Sequence, residues 1–424
     1  MEKLKQILRE SGCDGWEITD VKTHGNEYYF IGHRLDQNRV KEVRHIALNV
    51  YKKSEDGKYL GKAGAEIYPD DPEDLLRKQV AQLVYNASLI RNPLYTLNPA
   101  RPAVLAKQKD ISRNGISRDF IKLMQQVPET ENEYLNSYEI FVSEKEIHFE
   151  NSEGVDLAES YPVSMMEAVI NAKNGNHEIE LYRMYRSGQC AADMILEDLA
   201  KTMRIGRDRL HTKPTPNLKK APVIFSGEQA VRIAEYFLDH TDAAFIYQRM
   251  SDWKKEEPYA KEINGDTVTL KALKTLENSP ANRSFDAEGA PIRDLVLIEN
   301  GTVKNYHGSR MFSYGIGLED SFIVSNFELS GGTYTQEQLR EGTYLEAVEF
   351  SDFQVDSLTG DIFGEIRLAY LHDNGTITPV SGGSVSGNMN ELLKEMRMSR
   401  DMRTVASAAI PALIRLENVT ISGE

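Results

Sequence analysis

The pattern of hydrophobic residues changes at one proline-containing stretch, HTKPTPNLKKAP, from His211 to Pro222. This stretch has three prolines among polar residues and shows neither a helical period nor strand alternation. It therefore predicts a linker. A chain of 424 residues also exceeds the size at which a single core usually stops growing. We predict two domains, residues 1–210 and 223–424, joined by a linker at residues 211–222.

The first half mixes helical and extended patterns. At DDPEDLLRKQVAQLVYNASLI, Asp71 is a candidate cap and Pro72 suits the first helical position, which predicts a helix to about Ile90. Two further stretches have the helical period, Met1–Glu10 and Ala191–Leu210. Strand-like alternation occupies Trp16–Tyr68 and Tyr134–Arg186. These patterns predict an N-terminal α/β domain with antiparallel strands and long helices.

Turn signals dominate the second half. Its three Asn-Gly pairs supply the positive φ angles that tight hairpins require. These pairs are Asn264-Gly265, Asn300-Gly301 and Asn374-Gly375. With short helices near Gln336 and Asn390, the pattern predicts a β-rich, antiparallel, barrel-like or sandwich-like domain. The whole chain is then of the α+β class.

Charge and hydropathy exclude several classes of function. Asp and Glu number 65 against 50 Lys and Arg, a formal charge of -15, which disfavours direct binding of nucleic acid. The sequence shows no apolar leader and no apolar run long enough to span a membrane, so we expect a cytoplasmic protein without membrane contact. The two cysteines, Cys13 and Cys190, lie too far apart in sequence for a metal knuckle or a disulfide framework.

The segment GEQAVRIAEYFLDH, from Gly227 to His240, carries acids and a histidine on a predicted helix. One stripe of this helix is polar and consists of Glu228, Arg232, Glu235 and Asp239. The opposite side consists of Val231, Ala234, Phe237 and Leu238. We interpret the polar stripe as a solvated face with a Glu228–Arg232 pair, rather than as a metal site.

Other hydrolytic motifs are incomplete. A helical zinc site needs two imidazoles one turn apart, but the two histidines nearest in sequence are His24 and His33. His177-Glu178 precedes Leu181 and Tyr182, where a second imidazole would be needed, so a strand edge is favoured. GGSVSGN lacks the second glycine of a serine elbow and the lysine of a phosphate loop, and we interpret it as a turn before a helix. SRMFSYGIGLED has too few glycines for dinucleotide spacing.

The paired acids of SFDAEG, Asp286 and Glu288, stand two positions apart. In an extended segment both would point to the same side, as acid–base chemistry or a rim that binds a peptide would require. On composition a surface position is favoured for both.

The longer stretch SFDAEGAPIRDLVLIENGTVKNY, from Ser284 to Tyr306, resembles the signature region of the TldD/PmbA family. GDIFGEIRLAYLHDNGTITPVSGGSVSGNMNELL and the ending LIRLENVTISGE are also similar to that family. Members were once described as modulators of DNA gyrase and are now regarded as a two-subunit peptidase system. TldD-type chains carry a zinc-binding His-Glu-x-x-x-His helix just after the linker, and a metal-ligand cysteine near the C-terminus.

This sequence has only His240 in that window and no cysteine after Cys190. It therefore resembles the PmbA/TldE side of the family, which lacks the zinc motif. The resemblance implies no catalytic or metal-binding residue in this chain, zinc in a TldD-like partner, a heterodimer with that partner, and a chamber for unfolded peptides. A homodimer of the isolated chain is a further expectation.

The resemblance also implies candidate residues for binding a peptide or the partner. They are Phe285, Asp286, Glu288, Gly289, Asn300, Gly301, Asn305 and Tyr306. Two alternatives stay open at this point. The chain could be a hydrolase in its own right, using carboxylates with His240 or His307, or a regulatory protein that binds DNA gyrase.

Overall fold

The structure is a computed structural model, and it describes residues 1–68, 70–101 and 112–423. Within these ranges, the first half has four helices, which are α1 (Glu2–Glu10), α2 (Glu73–Ser88), α3 (Arg113–Met124) and α4 (Ala192–Arg209). The second half has five, which are α5 (Glu228–His240), α6 (Ala243–Tyr247), α7 (Arg310–Gly315), α8 (Gln336–Leu339) and α9 (Met389–Leu392). The three long helices predicted in the first half and the short helices near Gln336 and Asn390 are confirmed.

The strands of the first half are β1 (Gly15–Ile31), β2 (Arg34–Lys53), β3 (Tyr59–Glu66), β4 (Asn92–Pro93), β5 (Glu133–Asn151), β6 (Asp156–Asn174) and β7 (His177–Ser187). The strands that follow are β8 (Lys213–Pro214), β9 (Leu218–Phe225), β10 (Thr269–Leu273), β11 (Leu295–Glu299), β12 (Thr302–Val303), β13 (Asn326–Ser330) and β14 (Tyr344–Val355). The last strands are β15 (Asp361–Asp373), β16 (Thr376–Ser381), β17 (Ser384–Asn388), β18 (Arg397–Met398), β19 (Met402–Val405), β20 (Ala408–Pro411) and β21 (Ile414–Ser422).

The first half is built on an antiparallel sheet of seven strands in the order β4-β3-β2-β1-β5-β6-β7. Ile18 and Phe30 lie an even number of positions apart on β1 and therefore point to the same face. Helices α1 and α2 pack on that face around Ile18, and α3 and α4 pack on it around Phe30. Between these two apolar cores, the same face of β1 presents Asp20, Lys22 and His24.

The second half contains a closed barrel of five strands in the order β14-β9-β21-β17-β15, because β14 also pairs with β15. The strands β16 and β8 extend the same sheet beyond β15. A second sheet has the order β12-β11-β10-β13-β20-β19, and α5 packs between β14 of the barrel and β20 of this sheet. The predicted α+β class, with a β-rich antiparallel second domain, is confirmed.

Four local predictions differ from the structure. The predicted linker contains β8 and the first part of β9, which pair with β16 and β21 of the sheet that contains the barrel. Asn264-Gly265 forms no hairpin, and both of its N–H groups donate to the Lys394 carbonyl. Residues Ser384–Asn388 of GGSVSGN form a strand, because β15 and β21 both pair with them. Pro72 is the N-cap of α2 rather than its first residue.

No helix within the described ranges is both long enough and apolar enough to cross a membrane.

Candidate functional site

The predicted pair Asp286 and Glu288 lies in a turn at the junction of the two halves, not in an extended rim. The Asp286 side chain is only 6% exposed. Its Oδ1 accepts the N–H groups of Glu288 and Ala290, each at 2.9 Å, and its Oδ2 accepts that of Ile323 at 2.8 Å. The expected surface position of Asp286 is therefore wrong, because three backbone donors draw its carboxylate inward.

Residues on either side of this turn attach it to the seven-stranded sheet. The Arg283 guanidinium donates to Glu159 at 2.7 Å and to the Tyr161 hydroxyl at 3.0 Å. The Ser284 N–H donates to the same carboxylate at 2.9 Å. Phe285 is fully buried in an apolar cluster of the opposite sheet face, with Ile147, Phe149, Val155 and Tyr161. The signature segment thus joins the second half of the chain to the first.

Glu288 and Gly289 complete the junction. The Glu288 carboxylate accepts the Arg310 N–H at 2.6 Å, and the Glu288 carbonyl accepts from the Asn98 side chain at 3.1 Å. Gly289 has φ 76°, and a Cβ there would lie 2.5 Å from the Phe149 ring. Only glycine fits this conformation at this distance from the sheet.

Buried acidic groups accumulate at this junction. Burial raises the pKa of Asp286 to about 6, although its backbone donors act in the opposite direction. Glu17 on β1 accepts the Tyr51 hydroxyl at 2.5 Å, and burial raises the pKa of Glu17. Burial, followed by the negative charges of Glu17 and Glu288, raises the pKa of Tyr95. Burial away from water at the junction thus favours the protonated forms of Asp286, Glu17 and Tyr95.

The other four predicted residues lie in and after the hairpin of β11 and β12. Asn300 and Gly301 have positive φ angles of 45° and 82° at its turn. Asn305 donates its side-chain amide to the Val296 carbonyl at 2.9 Å, and the Tyr306 hydroxyl donates to the Trp253 carbonyl at 2.7 Å. Each of these contacts is structural, and a peptide- or partner-binding role for the residues stays a prediction.

The helix α5 is exposed at its start and buried at its end. Glu228 and Arg232 are exposed, as predicted, but Arg232 pairs with Glu235 at 2.8 Å rather than with Glu228. Asp239 is partly buried and accepts the Ser357 hydroxyl at 2.6 Å, and burial raises its pKa. The solvated stripe therefore ends before the last turn of the helix.

His240 is the last residue of α5 and lies in an aromatic cluster. Its Nε2 bonds to the Ser357 carbonyl at 2.9 Å, and its ring stacks on Trp253 with a centroid distance of 4.7 Å. Tyr236 and Phe245 also contact the ring. Burial lowers the pKa of His240, so the imidazole is neutral at neutral pH.

These surroundings do not fit a catalytic zinc. Such a site needs three converging protein ligands and an open position for water. His240 commits its Nε2 to a carbonyl, and its ring neighbours are aromatic. His307 is likewise buried and bonds through Nε2 to the Leu238 carbonyl at 3.2 Å. The Asp242 carboxylate lies 3.8 Å from His307 Nδ1, but among the described residues neither imidazole belongs to a group of three converging ligand side chains.

Within the described residues, a group with metal-ligand chemistry occurs on the seven-stranded sheet instead. The ligand atoms of His148, Glu150 and Asp156 lie within 4.8 Å of one another. In the sequence this group is indicated by the alternation in EKEIHFEN, which places Glu146, His148 and Glu150 on one face of the strand. None of the sequence motifs described above includes it.

The group borders a cavity of about 390 Å³ between the two helix pairs, lined in part by Asp20, Lys22 and Glu146. The charged side chains of the group and of the cavity wall are already paired within the chain. Lys5 of α1 forms an ion pair with the buried Glu150, and Arg44 forms one with Asp20 at 2.6 Å. His148 bonds to Asp156 at 2.7 Å. The ion pair between Lys5 and Glu150 therefore anchors α1 to the sheet.

Comparisons with known proteins agree with this architecture. Residues 218–423 match the family model described as the PmbA/TldA metallopeptidase C-terminal domain. A structure of TldE from Thermococcus kodakarensis superposes with a TM-score of 0.77 at 17% identity, covering 99% of this chain and 100% of that one. At this level of identity, the superposition shows a shared fold.

Two curated relatives match over part of their length. A metalloprotease TldD homolog from Buchnera aphidicola (Acyrthosiphon pisum) is 26% identical over 193 residues, which are 38% of this chain and 40% of the relative. A metalloprotease PmbA homolog from Haemophilus influenzae is 24% identical over 276 residues, which are 62% of this chain and 58% of the relative. The matched segments thus span less than two thirds of either relative.

Proposed function

Because residues 218–423 of this chain are a C-terminal domain of the TldD/PmbA family, we propose that the chain is a non-catalytic, PmbA/TldE-type subunit of a cytoplasmic metallopeptidase. A TldD-like partner supplies the zinc from its His-Glu-x-x-x-His helix, and the two chains form a heterodimer. This chain shapes a chamber that admits unfolded or extended peptides.

The observation that carries the proposal is the environment of His240. A zinc hydrolase needs open coordination for a water molecule and a base beside it. In this chain the imidazole at the end of α5 is buried, bonds to a carbonyl and stacks on Trp253. Such an environment favours a role for this helix in packing against the barrel over a role in holding a metal.

The junction supports the assignment of a scaffold role. A subunit that shapes a chamber must hold its two halves at a constant distance and angle. Arg283 and Phe285 provide such a connection through an ion pair with Glu159 and an apolar contact with the seven-stranded sheet. Asp286 holds the turn that carries them by accepting three backbone N–H groups within the second half.

The proposal is tested by co-expressing this chain with a TldD-like chain and measuring zinc and cleavage of an unfolded polypeptide. We expect the two chains to co-purify and the heterodimer to contain about one zinc. We also expect the heterodimer to cleave the polypeptide and neither isolated chain to do so. Replacing the first histidine of the partner's motif with alanine removes both zinc and cleavage. The matched variant His240→Gln in this chain leaves the zinc content of the heterodimer unchanged.

Three results would contradict the proposal. Stoichiometric zinc in the isolated chain would place the metal here. Cleavage by the isolated chain that is lost in His240→Gln or His307→Gln would make it a hydrolase in its own right. Recovery of DNA gyrase, without a TldD-like chain, from a lysate would favour the regulatory alternative.

A further inference from the structure

The first part of strand β2 has an open edge. β2 pairs with β1 from Arg34 to Tyr51, but β3 pairs with it only from Ala47 onward. In the described part of the chain, no strand pairs with residues 34–45 on the side away from β1. These 12 residues are almost all exposed. Since alternate residues of a strand direct their N–H and C=O groups to the same side, about six of them direct backbone groups there that pair with no described strand.

Apolar side chains accompany the open edge. Ile31, Leu35 and Val40 are 54%, 49% and 73% exposed, and all three lie in the hairpin of β1 and β2. Exposed apolar side chains beside free backbone groups are characteristic of a surface that receives another strand.

The charge of this edge is opposite to that of the molecule. Its basic residues are Arg34, Arg39, Lys41 and Arg44, against two acids, Asp36 and Glu42. Arg44 is paired with Asp20 at 2.6 Å and Arg34 lies 3.9 Å from Asp36, whereas Arg39 and Lys41 form no ion pair with the described residues. The whole chain has a formal charge of -15. Arg39 and Lys41 also share one face of the strand, because they stand two positions apart.

This distribution of charge selects among possible occupants. In a twofold antiparallel pairing centred near residue 40, a second copy of the chain would place Arg39 opposite Lys41, and like charges on paired strands repel. An extended segment with carboxylates on one face would instead meet them with opposite charge. We infer that residues 34–45 of β2 bind an acidic, extended segment of another protein by strand addition. The inference does not depend on the proposed peptidase role.

The test uses the full chain and a fluorescein-labelled probe of about 12 residues with alternating Thr and Glu, which matches the open edge in length. A control probe carries Lys in place of Glu. In fluorescence anisotropy we expect the acidic probe to bind at least about tenfold more tightly than the basic one, and less tightly as salt is added.

Protein variants locate the binding. We expect Arg39→Glu combined with Lys41→Glu to weaken binding of the acidic probe at least about tenfold. The matched control combines Lys254→Glu with Lys261→Glu, two exposed lysines of the second half, and should bind like the unmodified protein. Unchanged thermal midpoints in both double variants show that the fold is kept.

Backbone methylation of the probe tests strand addition itself. N-methyl groups on every Thr or on every Glu block opposite edges of an extended peptide. We expect one of these two probes to lose binding while the other keeps it. Equal binding of both methylated probes, no preference for the acidic probe, or no effect of the Arg39 and Lys41 changes would overturn the inference. A dimer of the chain that dissociates in the same double variant would assign the edge to self-association and also overturn it.

Discussion

At the scale of single residues, Asp286 shows how a motif that suggests chemistry can serve packing. Its carboxylate accepts three backbone N–H groups in a turn that is closed to water. Asp286→Ala would leave these donors buried without an acceptor, at a cost of about 3 kcal/mol in the free energy of unfolding. Urea denaturation measures this loss. The exposed control Glu277→Ala should change the value by less than about 0.5 kcal/mol, and equal stability of the two variants would refute the role given to Asp286.

The raised pKa of Asp286 also makes stability depend on pH. The folded protein keeps this proton until a pH of about 6, whereas the unfolded chain releases it near the ordinary value of 3.8. The stabilisation is thus complete below pH 3.8 and is lost as pH rises through about 6. We expect the stability of the native protein relative to Asp286→Asn to fall by about 3 kcal/mol between about pH 4 and about pH 7. Urea titrations at several pH values check this; a difference that stays flat or increases with pH would be the opposite result.

At the scale of elements, α5 behaves as the amphipathic pattern of its sequence predicts, except at its end. Phe237 is fully buried in the core of the second half, whereas the Arg232 side chain is 60% exposed. We expect Phe237→Ala to lower the free energy of unfolding by about 4 kcal/mol, because it leaves a cavity in a packed core. Arg232→Ala should change it by less than about 0.5 kcal/mol. Thermal and urea denaturation measure the difference in stability between the two variants. Similar losses in their free energies of unfolding would show that the buried and exposed faces of α5 were misassigned.

Other elements show where local patterns were insufficient. Asn300-Gly301 and Asn374-Gly375 turn between paired strands, whereas Asn264-Gly265 does not. The difference lies outside these dipeptides, since the third pair is held by a distant carbonyl, that of Lys394. The stretch predicted as a linker contains strand residues for a related reason, because β9 is apolar over only part of its length and gains its strand partners from β14 and β21.

At the scale of the whole molecule, partly buried ion pairs connect the halves. Arg283 bonds to Glu159 at the junction, and Arg183 of β7 bonds to Glu349 of β14, each at 2.7 Å. Removing either arginine leaves a carboxylate without its partner, at a cost of about 3 kcal/mol. We expect the native protein to unfold in one thermal transition and the Arg183→Ala, Arg283→Ala double variant to unfold in two.

Differential scanning calorimetry distinguishes these outcomes. The control is Arg77→Ala, because the acids that Arg77 contacts, Glu10 and Glu73, both lie in the first half. A double variant that unfolds in one transition at the midpoint of this control would show that the two halves are coupled by other contacts.

The sequence by itself determined the class of the fold, the main helices and strands, and the resemblance of Ser284–Tyr306 to the TldD/PmbA signature. These follow from period, turn chemistry and motif, which are properties of neighbouring residues. Only the tertiary structure decided that Asp286 is buried, that His240 stacks on Trp253, and that His148, Glu150 and Asp156 converge. It also decided that, among the described residues, no strand pairs with the outer edge of β2 at residues 34–45. Each of these depends on which distant strands pair and in what register, and local sequence does not specify that choice.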